Sequence, residues 1–296
     1  KKVIGMNMNS VWNKLLLVIA LIMTVAFMGM CKSSSTKQIA KSYHPGTFNS
    51  ISLQGAYDVE LCEGAFSVQA VGNESAIDGI NIEVKGKCLE LKNKRNVNFN
   101  WFGKNKKESR RVLIKISAPA INKLELIGSG NIKVLSSLHP MGDFAVSLVG
   151  SGDVKIYKDL KLSSQSTLKL DITGSGDIKI LGKAGARKAA LSVCSSGDIT
   201  LSDLVVNQLS AKITGSGDID IAGQGNDANL SVLGSGDIDA YQFQSNTVQV
   251  SIMGSGDVKC NVQQSLKSDV MGSGSVYYKG NPKQVENSGF GKAKKK

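Results

Sequence analysis

Aliphatic residues alternate with polar ones along most of the chain, and the alternation breaks at regular intervals on a glycine-rich tetrad. Ahead of the breaks stand Leu124 and Leu126, Val146 and Leu148, Leu170 and Ile172, and Leu230 and Val232. Behind them stand Val154 and Ile156, Ile178 and Ile180, Ile219 and Ile221, and Ile238 and Ala240, separated by Lys155, Lys179, Asp220 and Asp239. A period of two over five residues marks a strand with one face buried. The tetrad reads Gly-Ser-Gly-Asp at 150–153, 174–177, 215–218, 234–237 and 254–257. Variants stand at 128–131, 195–198 and 272–275, with a worn copy at 289–292 and a degenerate one at 55–58. From 128 onward, successive copies start 22, 24, 21, 20, 19, 20, 18 and 17 residues apart. A strand–turn–strand unit with an apolar face it cannot bury alone, repeated at that interval, predicts coils stacked into a solenoid. The expected fold is all-β, a single-stranded parallel stack of about 20 residues per coil with almost no helix.

Counting by two from Leu170 and Ile172 carries Gly174 and Gly176 into inward slots, where the strand bends and a side chain would clash. Ser175 and Asp177 then fall outside, where short polar side chains bond neighbouring backbone. Stacking therefore gives an outer column of Asp153, Asp177, Asp198, Asp218, Asp237 and Asp257. Calcium-binding β-rolls use a nonapeptide Gly-Gly-x-Gly-x-Asp, and this chain has no Gly-Gly pair. The column is accordingly read as turn-forming, and no metal or cofactor is expected. By the same count the residue before each turn points outward: Ile127, Val149, Thr173, Cys194, Thr214, Leu233, Met253 and Met271. That column is either an exposed apolar line of the kind that marks contact sites, or one that the corner geometry or a neighbouring segment covers.

Further residues carry a resemblance. The opening Phe48, Asn49, Ser50 and Ile51 with 55–61, Ile114 and Ile116 leading to Ala118 and Pro119, Leu124-Glu-Leu126, the tetrad series and the closing 277–282 together resemble one bacterial family. That family is the putative auto-transporter adhesin, head GIN domain. The resemblance implies a right-handed parallel β-helix in a cell-surface setting, commonly in Bacteroidetes-type bacteria.

The start of the chain reads differently. Lys14 precedes an apolar run over 15–30 that ends at Cys31, followed by Ser33, Ser34, Ser35 and Thr36. This is the layout of an export signal, and a cysteine at that place resembles the lipidation site of bacterial lipoproteins. Gly29 suits that pattern, whereas Met30 is larger than it prefers. Lipidation at Cys31 is expected, which would put the protein at the outer membrane or cell surface, or anchored at the inner membrane in the periplasm. A retained membrane anchor and simple signal cleavage are the alternatives. The domain plan is a leader over 1–31, a polar linker over 32–46 and a β-helix over 47–296. Within the helix, 47–117 forms less regular N-terminal coils, 118–292 the regular repeats and 293–296 a basic tail.

A net charge of +12 adds little, since Lys292, Lys294, Lys295 and Lys296 crowd the last few residues; nucleic acid is not an expected partner. The only histidines are His44 and His139, and no nucleophile elbow, zinc-binding helix or Cys-x-x-Cys pair is present, so no catalytic residue is assigned. Cys260 takes an inward slot; Cys62 and Cys88 could meet in the N-terminal coils. The alternation fails over 96–107. There Phe99, Trp101 and Phe102 with Lys104, Lys106, Lys107, Arg110 and Arg111 form the best local binding candidate, aromatics for sugar rings and cations for acidic groups. The alternative is that the aromatics cap the solenoid end. The expected function is non-enzymatic binding of a glycan or of an envelope or host-surface component. A structural envelope lipoprotein is the alternative and a polysaccharide-degrading β-helix enzyme the distant third.

Overall fold

The computed structural model describes residues 38–94 and 112–296. The elements run β1 (Gln38–Tyr43), β2 (Ser50–Gly55), β3 (Asp58–Glu63), β4 (Ser67–Asn73), α1 (Glu74–Asp78), β5 (Ile80–Lys85), β6 (Cys88–Asn93) and β7 (Leu113–Ala118). Then come β8 (Lys123–Gly128), β9 (Asn131–Val134), β10 (Phe144–Gly150), β11 (Asp153–Ile156), β12 (Leu160–Lys161) and β13 (Thr167–Gly174). The later coils are nearly continuous strand: β14 (Ile178–Ser195), β15 (Ile199–Gly215), β16 (Ile219–Gly234), β17 (Ile238–Gly254) and β18 (Val258–Gly272). β19 (Val276–Lys279), β20 (Gln284–Gly289) and β21 (Lys294–Lys295) close the chain. Stacked parallel strands about 20 residues apart make a β-solenoid of about nine turns.

Two aliphatic ladders hold it together. Ahead of the turn, Leu53, Leu126, Leu148, Ile172, Val193, Ile213, Val232, Ile252 and Val270 lie one above another. Behind it run Val59, Ile132, Val154, Ile178, Ile199, Ile219, Ile238, Val258 and Val276. All are buried. A fully buried aliphatic side chain contributes about 1.5–3 kcal/mol, so each coil adds its share only when a neighbour covers it. The register through the pre-turn segment runs unbroken from coil to coil, whereas every shift falls on the far side, as between Ile180 and Lys183 or Leu201 and Leu204. The unequal coil lengths are absorbed there, which leaves the pre-turn face regular.

The stack is not parallel throughout, contrary to the expectation. β6 and β7 add a partial coil above β2 and β3 in parallel, but β5 pairs with β6 antiparallel, β4 with β7, and β1 with β4. β1 lies within the stretch read as linker, with Ile39 and Tyr43 packed against the core. α1 is capped by the Asn73 side chain, which accepts from the Ser75 N–H, and it buries Ile77. With Ile80, that side chain closes the N-terminal end of the core, as terminal repeats must.

The other end closes with polar groups. Asn287 faces Ser268, whose hydroxyl donates to the Asn287 Oδ1 at 2.8 Å, and the Ala293 N–H donates to the same oxygen at 2.8 Å. Lys294 and Lys295, read as tail, pair as a strand with Tyr277 and Tyr278. Lysines on an exposed strand edge discourage further pairing. The register also corrects the last repeat: Gly289 lies opposite Val270, two residues short of Gly272, so 289–292 does not continue the turn column. The Phe290 N–H donates to the Val270 carbonyl, so Phe290 follows Gly289 as Met271 follows Val270.

Candidate functional site

The tetrad corner organises the outer surface. Gly174 has φ +134°, a region open in practice to glycine, and a Cβ on Gly176 would stand 1.9 Å from the Gly152 carbonyl oxygen. Backbone thus meets backbone at each corner, and only hydrogen fits between. One copy departs: Ser195 holds φ +106° in the glycine column, alone among the described non-glycine residues in having positive φ.

The aspartates stand one per coil beside this corner. Each accepts, through Oδ1, the backbone N–H of the next coil's equivalent residue: Asp153 from Asp177 at 3.3 Å, Asp177 from Asp198 at 3.3 Å, and Asp198 from Asp218 at 2.9 Å. Asp218 accepts from Asp237 at 2.9 Å, Asp237 from Asp257 at 2.7 Å, and Asp257 from Ser275 at 2.8 Å. Asn131 and Asp58 extend the column at its head. The carboxylate does for the bend what the ladder does for the strands: it satisfies a donor that would otherwise lack a partner. Lys155 and Lys179 reach the second oxygen of Asp153 and Asp177 at 2.9 and 3.1 Å. In the coils of Asp218 and Asp237 that lysine is replaced by Asp220 and Asp239. Partial desolvation and the nearby Asp239, Asp218 and Asp198 charges hold the Asp220 carboxyl above its ordinary range, and Lys259 offsets part of the cluster from 3.1 Å on Asp239. No group of three or more ligating side chains placed to hold a metal occurs among the described residues.

The pre-turn column is exposed, not tucked inward. Ile127 is 40% exposed, Val149 42%, Leu233 44%, Met253 54% and Met271 50%, and Phe290 extends the line at 90%. Thr173 and Cys194 between them are also exposed and Thr214 is half-buried. Their register is continuous through nine coils, with Gln54 and Lys92 heading the column. Serines flank the column on the turn side, and on the other side serines alternate with Glu125, Asp171, Lys212 and Asp269. The turn serines (Ser129, Ser151, Ser175, Ser196, Ser216, Ser235, Ser255 and Ser273) are exposed on one side, and Ser147, Ser192, Ser231 and Ser251 stand on the other.

Phe99, Trp101, Phe102, Lys104, Lys106, Lys107, Arg110 and Arg111 lie outside the described residues, as does Cys31. The strands on either side of the loop are placed: β6 lies over β2 and β7 over β3, so the loop leaves and rejoins the fold at the corner that tetrads occupy in other coils. An open groove of about 790 Å³ at its root is lined by Gln54, Asn81, Glu83, Lys85, Lys92, Asn93 and Lys94. Lys92 binds Glu90 and Glu83 at 2.8 and 2.9 Å, and those hydrogen bonds hold its ammonium above the usual lysine range.

The four described cysteines are free: Cys62 and Cys194 exposed, Cys88 half-buried and Cys260 buried. Cys62 and Cys88 do not meet, because one stands near the end of β3 beside Ser117 while the other starts β6 beside Ser50. Burial pushes the Cys260 thiol up to about 12. His139 is held by Glu63, which accepts from its backbone N–H at 2.8 Å and contacts its Nδ1 at 2.9 Å; His44 lines a separate groove. Sequence reasoning missed this pair and the ladder of Asn207, Asn226 and Asn246 on the far side. The spacing of those asparagines was visible; the partner of Glu63 lies 76 residues away and gave no local signal.

A family model described as putative auto-transporter adhesin, head GIN domain, matches residues 47–186 and again 157–282. Solved structures of the same fold include a putative adhesin from Parabacteroides merdae ATCC 43184, 20% identical with a TM-score of 0.65 over 88% of this chain and 96% of that one. A putative lipid binding protein from Parabacteroides distasonis ATCC 8503 is 22% identical, with a TM-score of 0.60 over 87% and 96%. A putative adhesin from the same strain is 21% identical, with a TM-score of 0.60 over 88% and 97%. No curated protein matches the chain.

Proposed function

The chain belongs to the family described as putative auto-transporter adhesin, head GIN domain, and on that footing we propose that it is a non-enzymatic binding module of the cell surface or periplasm. It recognises a glycan or another envelope or host-surface component through the outer face of its solenoid. The observation that carries this reading is the continuous exposed column from Ile127 to Phe290. Folding needs the inward ladder and not this one, so large apolar side chains held outward in six of nine coils mark a contact surface. A solenoid also suits recognition of something extended, because it offers a long face and not an enclosed cavity.

The aromatic-basic loop, entering beside the head of the column, is proposed as a second contact element, and Cys31 as the lipid attachment site that holds the protein at the membrane. Among the described residues no helix is long and apolar enough to cross a membrane. The decisive experiment compares parent protein with the Leu233→Ser, Met253→Ser double variant on a glycan array, on host cells and on lipid vesicles, since one solved relative is described as lipid binding. Because both side chains are exposed, stability should change by no more than about 0.5 kcal/mol per site. Binding to one of these targets should fall at least tenfold. Unchanged binding by a folded variant removes the column from the proposal.

A further inference from the structure

Accepting the column as a contact surface, we infer that its partner is a second copy of this chain, packed face to face and antiparallel about a two-fold axis at Thr214. The side-chain sizes along the column carry the argument. Its first half is short or branched (Ile127, Val149, Thr173, Cys194) and its second half is long (Leu233, Met253, Met271, Phe290), with Thr214 the fifth of nine. Turned end for end on itself, the column sets Cys194 against Leu233, Thr173 against Met253, Val149 against Met271 and Ile127 against Phe290. Every long side chain meets a shorter one, as close packing of two sheets favours, and Thr214 meets its own copy at the axis. A parallel pairing would set long on long from Leu233 to Phe290 and short on short from Thr173 to Thr214.

The neighbouring columns are compatible with that pairing. The turn serines meet turn serines. On the other side Glu125 faces Ser288, Ser147 faces Asp269, Asp171 faces Ser251, and Ser192 faces Ser231. One column further out Lys123 faces Glu286. Lys212 meets its own copy near the axis, the one like-charge contact, and its long exposed side chain can turn outward. The unbroken pre-turn register keeps this face regular where the far side is stepped. Eight intervals of about 4.8 Å by six residues of about 3.3 Å give roughly 800 Å² per copy and about 1,600 Å² for the pair. That is the size of a stable protein–protein interface.

The test uses whole cells making the full chain and dibromobimane, a short thiol cross-linker. On a Cys194→Ser background, Thr214→Cys faces itself across the axis and should give a dimer band at least tenfold above the background chain. Leu233→Cys should cross-link when native Cys194 is present and fail when Cys194→Ser removes its counterpart, because the two Leu233 positions lie two coils apart. Cross-linking of Leu233→Cys without Cys194 would mean a parallel pairing and overturn the arrangement. Absence of a dimer from every variant, with the thiols shown reactive toward a monofunctional maleimide, overturns the inference. If binding to a glycan or vesicle still falls with Leu233→Ser and Met253→Ser in that case, the face belongs to that ligand and the proposed function stands without the dimer.

Discussion

Replacing Ser195 by glycine should make the protein more stable. Glycines that open the other turns sit at φ values such as +129° at Gly150, +134° at Gly174 and +136° at Gly215, and Ser195 is held at +106° between two of them. That angle lies well beyond the left-handed helical well near +57°, in backbone space a side chain seldom enters. Such strain costs about 1–3 kcal/mol. Against this, a new glycine loses about 0.5–1 kcal/mol more conformational freedom on folding. The difference favours Ser195→Gly by about 1 kcal/mol, a rise in melting midpoint of about 2–4 °C for a chain of this size. Ser196, one residue on, has no positive φ; there the same change brings the entropy term alone and should lower stability. Thermal melts of the two variants and the parent decide it. If Ser195→Gly melts at or below the parent, the turn is not strained and the account of the glycine column is wrong.

Gly176→Ala forces a Cβ to within 1.9 Å of the Gly152 carbonyl, a backbone atom fixed by the stack; denaturant titration should show a loss of about 3 kcal/mol. Thiol labelling of the native protein should modify Cys62 readily and Cys260 only on unfolding, because burial both covers that thiol and raises its pKa to about 12. Asp220→Asn should stabilise the protein at neutral pH. The raised carboxyl binds its proton more tightly folded than unfolded, so Asp220 favours folding below its ordinary value of 3.8, and that contribution is lost as pH rises through the elevated folded value. Melts from pH 3 to 7 should show the gain only at the upper end, and a constant gain would point to a cause other than charge.

The repeat made the fold legible because a solenoid writes each coil in consecutive residues: the ladders, the tetrads and the outward column all follow from counting by two. What failed to show were features that depend on residues meeting out of series. β1 reads as a linker because its sequence, QIAKSY, alternates only weakly and earns its place by pairing with β4. The antiparallel cap over 67–93 breaks the period just where parallel stacking must end, so its strands carry alternation without a tetrad to set their direction. The shifted last repeat shows the limit of motif matching. Gly289 looks like the start of a turn, but the register sets it opposite Val270, where a Cβ would stand 2.2 Å from the Val270 carbonyl oxygen.

Exposure of the pre-turn column also separates what folding demands from what it permits. The outward positions two residues away carry serine, aspartate, lysine and glutamate in the same strands, so the pleat accepts polar side chains there without loss. Nothing inside the solenoid is held by Leu233, Met253 or Met271, which stand outside ladders already complete with Val232, Ile252 and Val270. Exposed apolar side chains invite association in water, and a line of them along a flat, register-perfect face invites it along the whole length at once. A chain under no demand but folding would do as well with serine in place of the six large apolar side chains. On the proposed reading the column is explained by a partner that covers it along its length.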